Sequence, residues 1–200
     1  LAKLSEVSGV TGVQATAGVY LSRGSVAPGL NLRLENAQGH AGQVTTLPAA
    51  LHDNSLRVSA VDHNAQEDAL RLQCSGSTVA RAFLLSDKPL DLSRESNGDV
   101  MLVLTLRPEV IPATHIALGA ACGDGCSAQL PLGPALAKLP VGQWTTLGVP
   151  LKCLAAAGAD VTRLDRVFSL ESDGKLQLSL SKVALGALNE ATHVLDCPTQ

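Results

Sequence analysis

The chain has 200 residues, of which 46% are hydrophobic and 16% are charged, a balance typical of one well-packed globular domain and not of a disordered segment. Its net charge is −3 without a long basic run, which argues against a nucleic-acid partner. No apolar stretch reaches the ~18 residues of a membrane helix, so we expect no membrane partner either.

The chain begins with Leu1 and carries no signal-peptide pattern, so we expect a mature product or a piece of a longer protein. Residues 1–18 are rich in Ser, Gly, Ala and Thr and show weak periodicity. This composition predicts a linker or entry segment. We place one domain at 19–188 and a C-terminal tail at 189–200.

Hydrophobic residues alternate with polar ones along most of the chain, as in strands with one buried and one wet face. In Leu30–Leu34 the leucines point one way, and in Lys175–Leu185 the apolar set moves from even to odd positions. A one-residue shift reverses the faces, so we expect a β-bulge near Ser181 and Lys182. Strands are predicted at 19–21, 30–34, 56–62, 70–74, 79–85, 99–107, 114–118, 144–151 and 175–185, with a further apolar patch at 167–170.

Residues 99–107 are apolar on both faces, which predicts a central strand. Short helical turns are expected at 132–139 and 154–158, and no pattern predicts a helix longer than about two turns. Many short strands without intervening long helices predict an all-β fold, a jelly-roll β-sandwich in a single domain.

Five cysteines suggest an oxidising environment, periplasmic or secreted. Cys122 and Cys126 border a tight loop that a disulfide would close, and Cys197 near the end would tie the tail to Cys153. Cys74 is then left over as a free thiol. Free thiols throughout, or a zinc site, are the alternatives that the sequence leaves open.

Two motifs carry a family resemblance. One is the Trp144–Leu151 stretch (WTTLGVPL) followed by a short Ala-rich turn and Gly-Ala-Asp, and the other is the Gln66–Ala69 loop (QEDA) before a strand that ends in Ser-Gly. Together they resemble the C-terminal, carbohydrate-binding-module-like domain of bacterial exo-1,3/1,4-β-glucanases and β-glucosidases of glycoside hydrolase family 3. The resemblance implies a galactose-binding-like fold over roughly residues 15–186.

The resemblance also implies that the catalytic nucleophile, an Asp in a Ser-Asp-Trp motif, belongs to upstream domains. This chain has Ser86-Asp87-Lys88 and Ser172-Asp173-Gly174 instead. It also lacks the tryptophans that relatives often carry near Cys74 and after Pro28. No nucleophile elbow, metalloprotease motif or phosphate loop is present either, so we predict no catalytic residue in this chain.

Acidic residues gather loosely at Asp62, Glu67 and Asp68, with Asp91 further along the chain. Three interpretations are open: turn residues that cap backbone donors, a structural calcium site at Asp62, Glu67 and Asp68, or a catalytic pair, which is the weakest. Apart from calcium we expect no cofactor.

Exposed aromatic side chains bind the apolar faces of sugar rings, and this chain has only four aromatics of the Phe, Trp and Tyr type. Phe83 and Phe168 are expected in the core. Trp144 is either a core plug or a sugar platform, and Tyr20 is undecided. The candidate carbohydrate-binding residues are Gln66, Asp68, Arg71, Trp144 and Tyr20, with Asn64 as a further polar group.

The leading hypothesis for function is a non-catalytic accessory domain of a secreted family 3 exo-β-glucanase or β-glucosidase, packing on or bordering the upstream catalytic domains. An autonomous β-glucan-binding module is the first alternative. A protein-binding adhesion or assembly module is the second.

Overall fold

The computed structural model of the chain describes residues 18–64, 66–112 and 114–198, which fold into two β-sheets packed face to face. The predicted all-β sandwich is confirmed. Within the described ranges, no helix is both long and apolar enough to cross a membrane. The strands are β1 (Val19–Ser22), β2 (Ser25–Val26), β3 (Leu30–Asn36), β4 (Ala41–Gln43), β5 (Ala49–Ala50), β6 (Leu56–Val61), β7 (Ala69–Ser75), β8 (Ala80–Leu90), β9 (Met101–Val110), β10 (Ile116–Ala121), β11 (Ser127–Pro131), β12 (Thr145–Pro150), β13 (Leu164–Ser172), β14 (Lys175–Gly186) and β15 (His193–Val194). The helices are α1 (Ser93–Asn97), α2 (Gly133–Ala137) and α3 (Leu151–Ala156), with a 3-10 turn at Leu188–Glu190.

The larger sheet has the strand order β15-β12-β9-β14-β7-β6-β5, with β1 and β2 joined to it through β14. Strand β9 lies between β12 and β14, and its first four residues are buried, which confirms the predicted central strand. On its outer side Met101 lies close to Gly148, where an added Cβ would come within 3.0 Å of Met101 and of Ala191. The segment after β14 therefore covers this part of the sheet.

The smaller sheet has the order β11-β10-β13-β8-β3-β4 and is antiparallel throughout. Leucines on its inner face, such as Leu84 and Leu118, meet leucines of the larger sheet, such as Leu72 and Leu104. Burying each of these side chains stabilises the fold by roughly 2 kcal/mol. The alternation seen in the sequence is thus the inner face of a leucine-rich sandwich.

Phe168 belongs to this core, as predicted, but Phe83 does not. Phe83 points to the outer side of the smaller sheet and is 3% exposed because the Arg166 guanidinium lies 4.0 Å from its ring centre. Phe83 is therefore buried, as predicted, although an arginine and not the opposite sheet covers the ring.

The predicted β-bulge is confirmed. The pairing of β14 with β9 shifts register between Leu180 and Lys182, which leaves Ser181 as the extra residue. Before the bulge β14 pairs with β7, and after it β14 pairs with β1. The shift keeps Leu178 and Val183 on the same buried side although one has an even and the other an odd number.

The predicted tail is part of the sandwich. Residues His193 and Val194 form β15, which pairs in parallel with β12, and Leu195 is buried. The short edge strands β2, β4, β5 and β15 escaped the sequence analysis because two or three residues cannot show an alternating pattern. Of the predicted linker at 1–18, residues 1–17 lie outside the described residues.

Both predicted disulfides form, between Cys122 and Cys126 and between Cys153 and Cys197. The first closes the loop between β10 and β11, and the second ties the chain end to α3. Cys74 is the free cysteine, as expected, and lies buried on β7. Burial raises the pKa of its thiol to about 11, so it stays protonated at neutral pH and acts as a small packing group.

Candidate functional site

The outer side of the larger sheet presents a row of polar side chains on adjacent strands. The register places Ser59 beside Arg71, Arg71 beside Ser179, and Ser179 beside Arg107. Trp144 directly precedes β12, whose residue Thr145 pairs with Leu106, so its ring follows Arg107 at the same level. We define the polar face by the outward residues Ser59, Arg71, Gln73, Arg107, Glu109, Trp144, Gln177 and Ser179.

Glu109 is the centre of the polar face. Its carboxylate accepts hydrogen bonds from Arg107 Nε (2.9 Å) and Arg71 Nη2 (3.2 Å), and it also accepts from Ser179 Oγ (3.1 Å) and from the Gln177 amide. Gln73 in turn donates to Gln177 Oε1 at 3.1 Å. Four neighbouring side chains therefore converge on one carboxylate whose side chain is 12% exposed.

Burial alone would raise the pKa of Glu109, but hydrogen bonds from Gln177, Arg107, Arg71 and Ser179 outweigh it and hold this pKa below its ordinary value. The carboxylate is ionised at neutral pH and saturated with donors. A general acid needs the opposite shift. Glu109 is therefore an anchor that fixes two arginines on the sheet, and not an acid catalyst.

Trp144 forms one wall of the polar face. It is partly buried, the Arg107 guanidinium lies 5.1 Å from its ring centre, and the His63 ring lies 4.2 Å away at an interplanar angle of 38°. Trp144 lies outside the hydrophobic cluster between the two sheets and packs against Arg107 and His63 instead. Its role as a sugar platform stays a prediction.

The described loop residues 62–64 and 66–68 follow β6, and His63 among them contacts Trp144. Asp62 accepts the backbone N–H of Glu67 at 2.6 Å, and Asp68 accepts those of His63 (2.6 Å) and Asn64 (3.1 Å). Gln66 and Glu67 both have φ near +57°, a left-handed conformation that costs roughly 1–2 kcal/mol for each non-glycine residue. The carboxylates offset part of that strain by closing the loop.

A shallow depression of about 420 Å³ lies on the same side of the larger sheet. Its lining includes Arg57, Ser59, Gln73 and Gln177, side chains that offer both donors and acceptors. Trp144 is not among the lining residues of this depression. The donors and acceptors of the lining suit a polyhydroxylated ligand, which hydrogen-bonds through its hydroxyls.

The structure brings most of the predicted carbohydrate-binding residues to one place. Arg71 and Trp144 belong to the polar face, and the loop beside them carries Gln66, which is exposed, and Asp68, which is half-buried. Tyr20 lies in β1 with 1% of its surface exposed, so its ring cannot stack on a sugar. The location of Tyr20, which the sequence left undecided, is thus buried, because its strand packs against β14.

The acidic residues behave as the turn-capping interpretation predicts. Asp62 and Asp68 cap donors of their own loop, while Asp91 accepts the N–H and hydroxyl of Ser93 elsewhere in the fold. Among the described residues, no three His, Cys, Asp or Glu side chains are grouped to hold a metal ion. Asp62, Glu67 and Asp68 thus offer calcium no three-carboxylate group, and calcium binding stays a prediction.

The sequence analysis missed the residues that organise the face, above all Glu109 and Arg107. A signal was present in the Arg-x-Glu pattern at the end of an otherwise apolar strand, which places opposite charges on the same side. The partners on β7 and β14 were not predictable, because strand order is needed to bring Arg71 and Gln177 to Glu109.

A sequence-family model described as galactose-binding domain-like (Exop_C) matches residues 31–185. The chain belongs to this family. The galactose-binding domain-like assignment confirms the resemblance stated from the sequence and spans the strands that build the polar face. No curated protein sequence matches the chain.

Solved structures show the same fold. The extra C-terminal domain of the exo-1,3/1,4-β-glucanase ExoP from a Pseudoalteromonas species is 19% identical with a TM-score of 0.73, over 91% of this chain and 99% of that domain. The intact ExoP enzyme gives 19% identity and a TM-score of 0.74 over 92% of this chain, which spans only 22% of that enzyme. The family 30 carbohydrate-binding module of the Clostridium thermocellum cellulase Cel9D-Cel44B is 13% identical with a TM-score of 0.57, over 78% of this chain and 91% of the module.

Proposed function

We propose that this chain is the non-catalytic C-terminal accessory domain of a secreted glycoside hydrolase family 3 enzyme, an exo-β-glucanase or β-glucosidase. One observation carries the proposal: the fold matches nearly the whole of a domain that occurs at the C-terminus of a longer exo-glucanase. The domain packs on the upstream catalytic domains or borders their cleft. Two disulfides support a secreted or periplasmic location.

The test compares the parent polypeptide with a version that ends before this domain. If the domain borders the cleft, its deletion raises KM for long β-glucans such as laminarin and leaves hydrolysis of a small aryl β-glucoside unchanged, because only the long substrate reaches the domain. If the domain only packs on its neighbours, deletion lowers the Tm of the catalytic part. Equal KM values and equal Tm values would contradict both roles.

The polar face favours a second candidate, an autonomous β-glucan-binding module. Trp144 is the single tryptophan of the chain, so its fluorescence reports on ligands that reach this face. Binding predicts retardation in affinity gels that contain mixed-linkage β-glucan, laminarin or hydroxyethylcellulose, with xylan as the control, and a fluorescence change in solution. Mobility unchanged in every gel would rule out the module and leave the accessory role.

A further inference from the structure

A groove at one end of the sandwich, away from the polar face, has a volume of about 810 Å³. This lies within the ~300–1,000 Å³ range of small-molecule sites. Three parts of the fold border it: the turn at Pro28 and Gly29, the end of β8 with the residues up to Leu92, and the end of β14 at Leu185–Ala187. Helix α1 contributes Glu95 from one side.

Two polar atoms in the groove lack partners among the described residues. Tyr20 lines the groove with 1% of its surface exposed, and its hydroxyl forms no hydrogen bond to them. The Oε2 atom of Glu95 is buried and also has no hydrogen-bond partner there. The two groups are close enough for the charge of Glu95 to add to burial in raising the Tyr20 pKa. Buried polar atoms without a partner, such as Glu95 Oε2, are rare in proteins, which makes a ligand that pairs with it a direct explanation.

The two other carboxylates at the groove, Asp87 and Asp91, already have hydrogen-bond partners. Asp87 accepts a hydrogen bond from Asn31 Nδ2 at 3.1 Å, and Asp91 is held by Ser93. They therefore shape the charge of the mouth without needing a ligand. Together with Glu95 they outnumber Lys88, so an anionic ligand is disfavoured.

The remaining features define the ligand chemistry. A carboxylate oxygen needs a donor, and a phenol hydroxyl both donates and accepts, so a vicinal pair of ligand hydroxyls satisfies both. The walls between them are aliphatic, with Leu30, Pro89 and Leu92 among them, and pack against C–H groups. A neutral sugar combines hydroxyl pairs with C–H faces and carries no charge.

We propose that this groove is a second binding site, one that takes a single neutral hexose unit through the Tyr20 hydroxyl and the Glu95 carboxylate. The choice of glucose as the hexose rests on the proposed glucanase function, whereas the neutral sugar chemistry rests on the groove. The site is independent of Trp144, which lies on the polar face.

The decisive variant is Tyr20→Phe, which removes one oxygen and keeps the buried ring. Isothermal titration with glucose, cellobiose and laminaribiose is run on the wild-type chain, Tyr20→Phe, Glu95→Gln and the control Asp124→Asn, an exposed residue that belongs neither to the groove nor to the polar face. We expect weak binding by the wild type, roughly tenfold weaker binding by Tyr20→Phe, and unchanged binding by Asp124→Asn. Wild-type chain that binds none of the sugars, or Tyr20→Phe that binds as tightly as the wild type, would overturn the proposal.

Two further readouts keep the outcome interpretable. Urea unfolding of Tyr20→Phe should show no loss of stability, because the hydroxyl has no partner to lose among the described residues. A clear loss would show that the hydroxyl has a structural partner, and it would then not be free to bind a ligand. The titration is repeated on the full-length parent. Sugar binding by the isolated chain that disappears there would mean that the upstream polypeptide fills the groove, which also overturns the proposal. Loss of the accessory role alone would leave groove binding intact, so the two failures are distinguishable.

Discussion

Replacing Glu109 by Gln tests whether one carboxylate organises the polar face. The substitution keeps the shape of the side chain but leaves Arg71 and Arg107, which are 29% and 21% exposed, facing a neutral amide. Breaking a fully buried ion pair costs about 3–5 kcal/mol, and breaking an exposed pair costs about 0–1 kcal/mol. The intermediate burial here predicts a loss of about 2–3 kcal/mol in the free energy of unfolding, measured in urea at pH 7.

The matched control is Asp99→Asn, which removes the ion pair with Lys152. Both side chains of that pair are mostly exposed, at 82% and 54%, so we expect a change of less than about 0.5 kcal/mol. Asn also tolerates the positive φ of residue 99. A Glu109→Gln loss no larger than that of the control would refute the reasoning that this network is a structural anchor.

The same pair of proteins has a defined pH dependence. Because the folded-state pKa of Glu109 lies below its ordinary value of 4.5, its stabilisation is fully present above pH 4.5 and is lost as the pH falls through the folded-state pKa. The stability difference between wild type and Glu109→Gln should therefore be constant from pH 5 to 7 and shrink below pH 4.5. A difference that grows on acidification would contradict the lowered pKa.

Three further outcomes follow from the packing. Paired Ser substitutions that remove the disulfide between Cys153 and Cys197 should lower the free energy of unfolding by about 4 kcal/mol. This value comes from the entropy of closing a loop between cysteines 44 residues apart. A loss below about 1 kcal/mol in urea would contradict it. Gly119→Ala should destabilise the domain by about 2 kcal/mol or more, because the added Cβ would lie 2.7 Å from the Ala128 carbonyl oxygen and the Ser169 hydroxyl. The control is Gly42→Ala, whose added Cβ has no atom within 4 Å and should leave the thermal melt unchanged. Trp144→Ala should weaken retardation by β-glucan and lower stability by no more than about 2 kcal/mol, because the residue is only partly buried. Retardation equal to that of the wild type in the affinity gel would place the glucan elsewhere.

Much of the fold was predictable because its signals are local. Period-two alternation located most of the long strands, but β13 showed only as an apolar patch and β11 was not predicted. The change from Leu180 to Val183 located the bulge without knowledge of the strand partners. The cysteine positions suggested both pairs but left free thiols and a zinc site open, and only the fold shows that Cys153 lies beside Cys197. The short edge strands were not predicted, because two or three residues are too few to show alternation of apolar and polar side chains.

The candidate site was predictable only in part. Arg71 and Trp144 were recognised by residue type, but Glu109 became visible only once strand order placed β9 beside β14 and β14 beside β7. The solvent exposure of the aromatic side chains could not be predicted from the sequence. Tyr20 and Phe83 are both nearly inaccessible, Tyr20 beneath the neighbouring strands and Phe83 beneath Arg166. Sequence pattern does not reveal which polar side chain covers an outward ring.

The proposed function makes this domain part of a longer β-glucan-degrading polypeptide. The most direct measurement is immunocapture with antibodies against the purified chain from culture medium and periplasm, followed by gel electrophoresis, peptide mapping and assay with an aryl β-glucoside. The account predicts a polypeptide several times longer than 200 residues, with these sequences at its C-terminal end, that hydrolyses the β-glucoside. A captured polypeptide of about 200 residues without hydrolytic activity would contradict it.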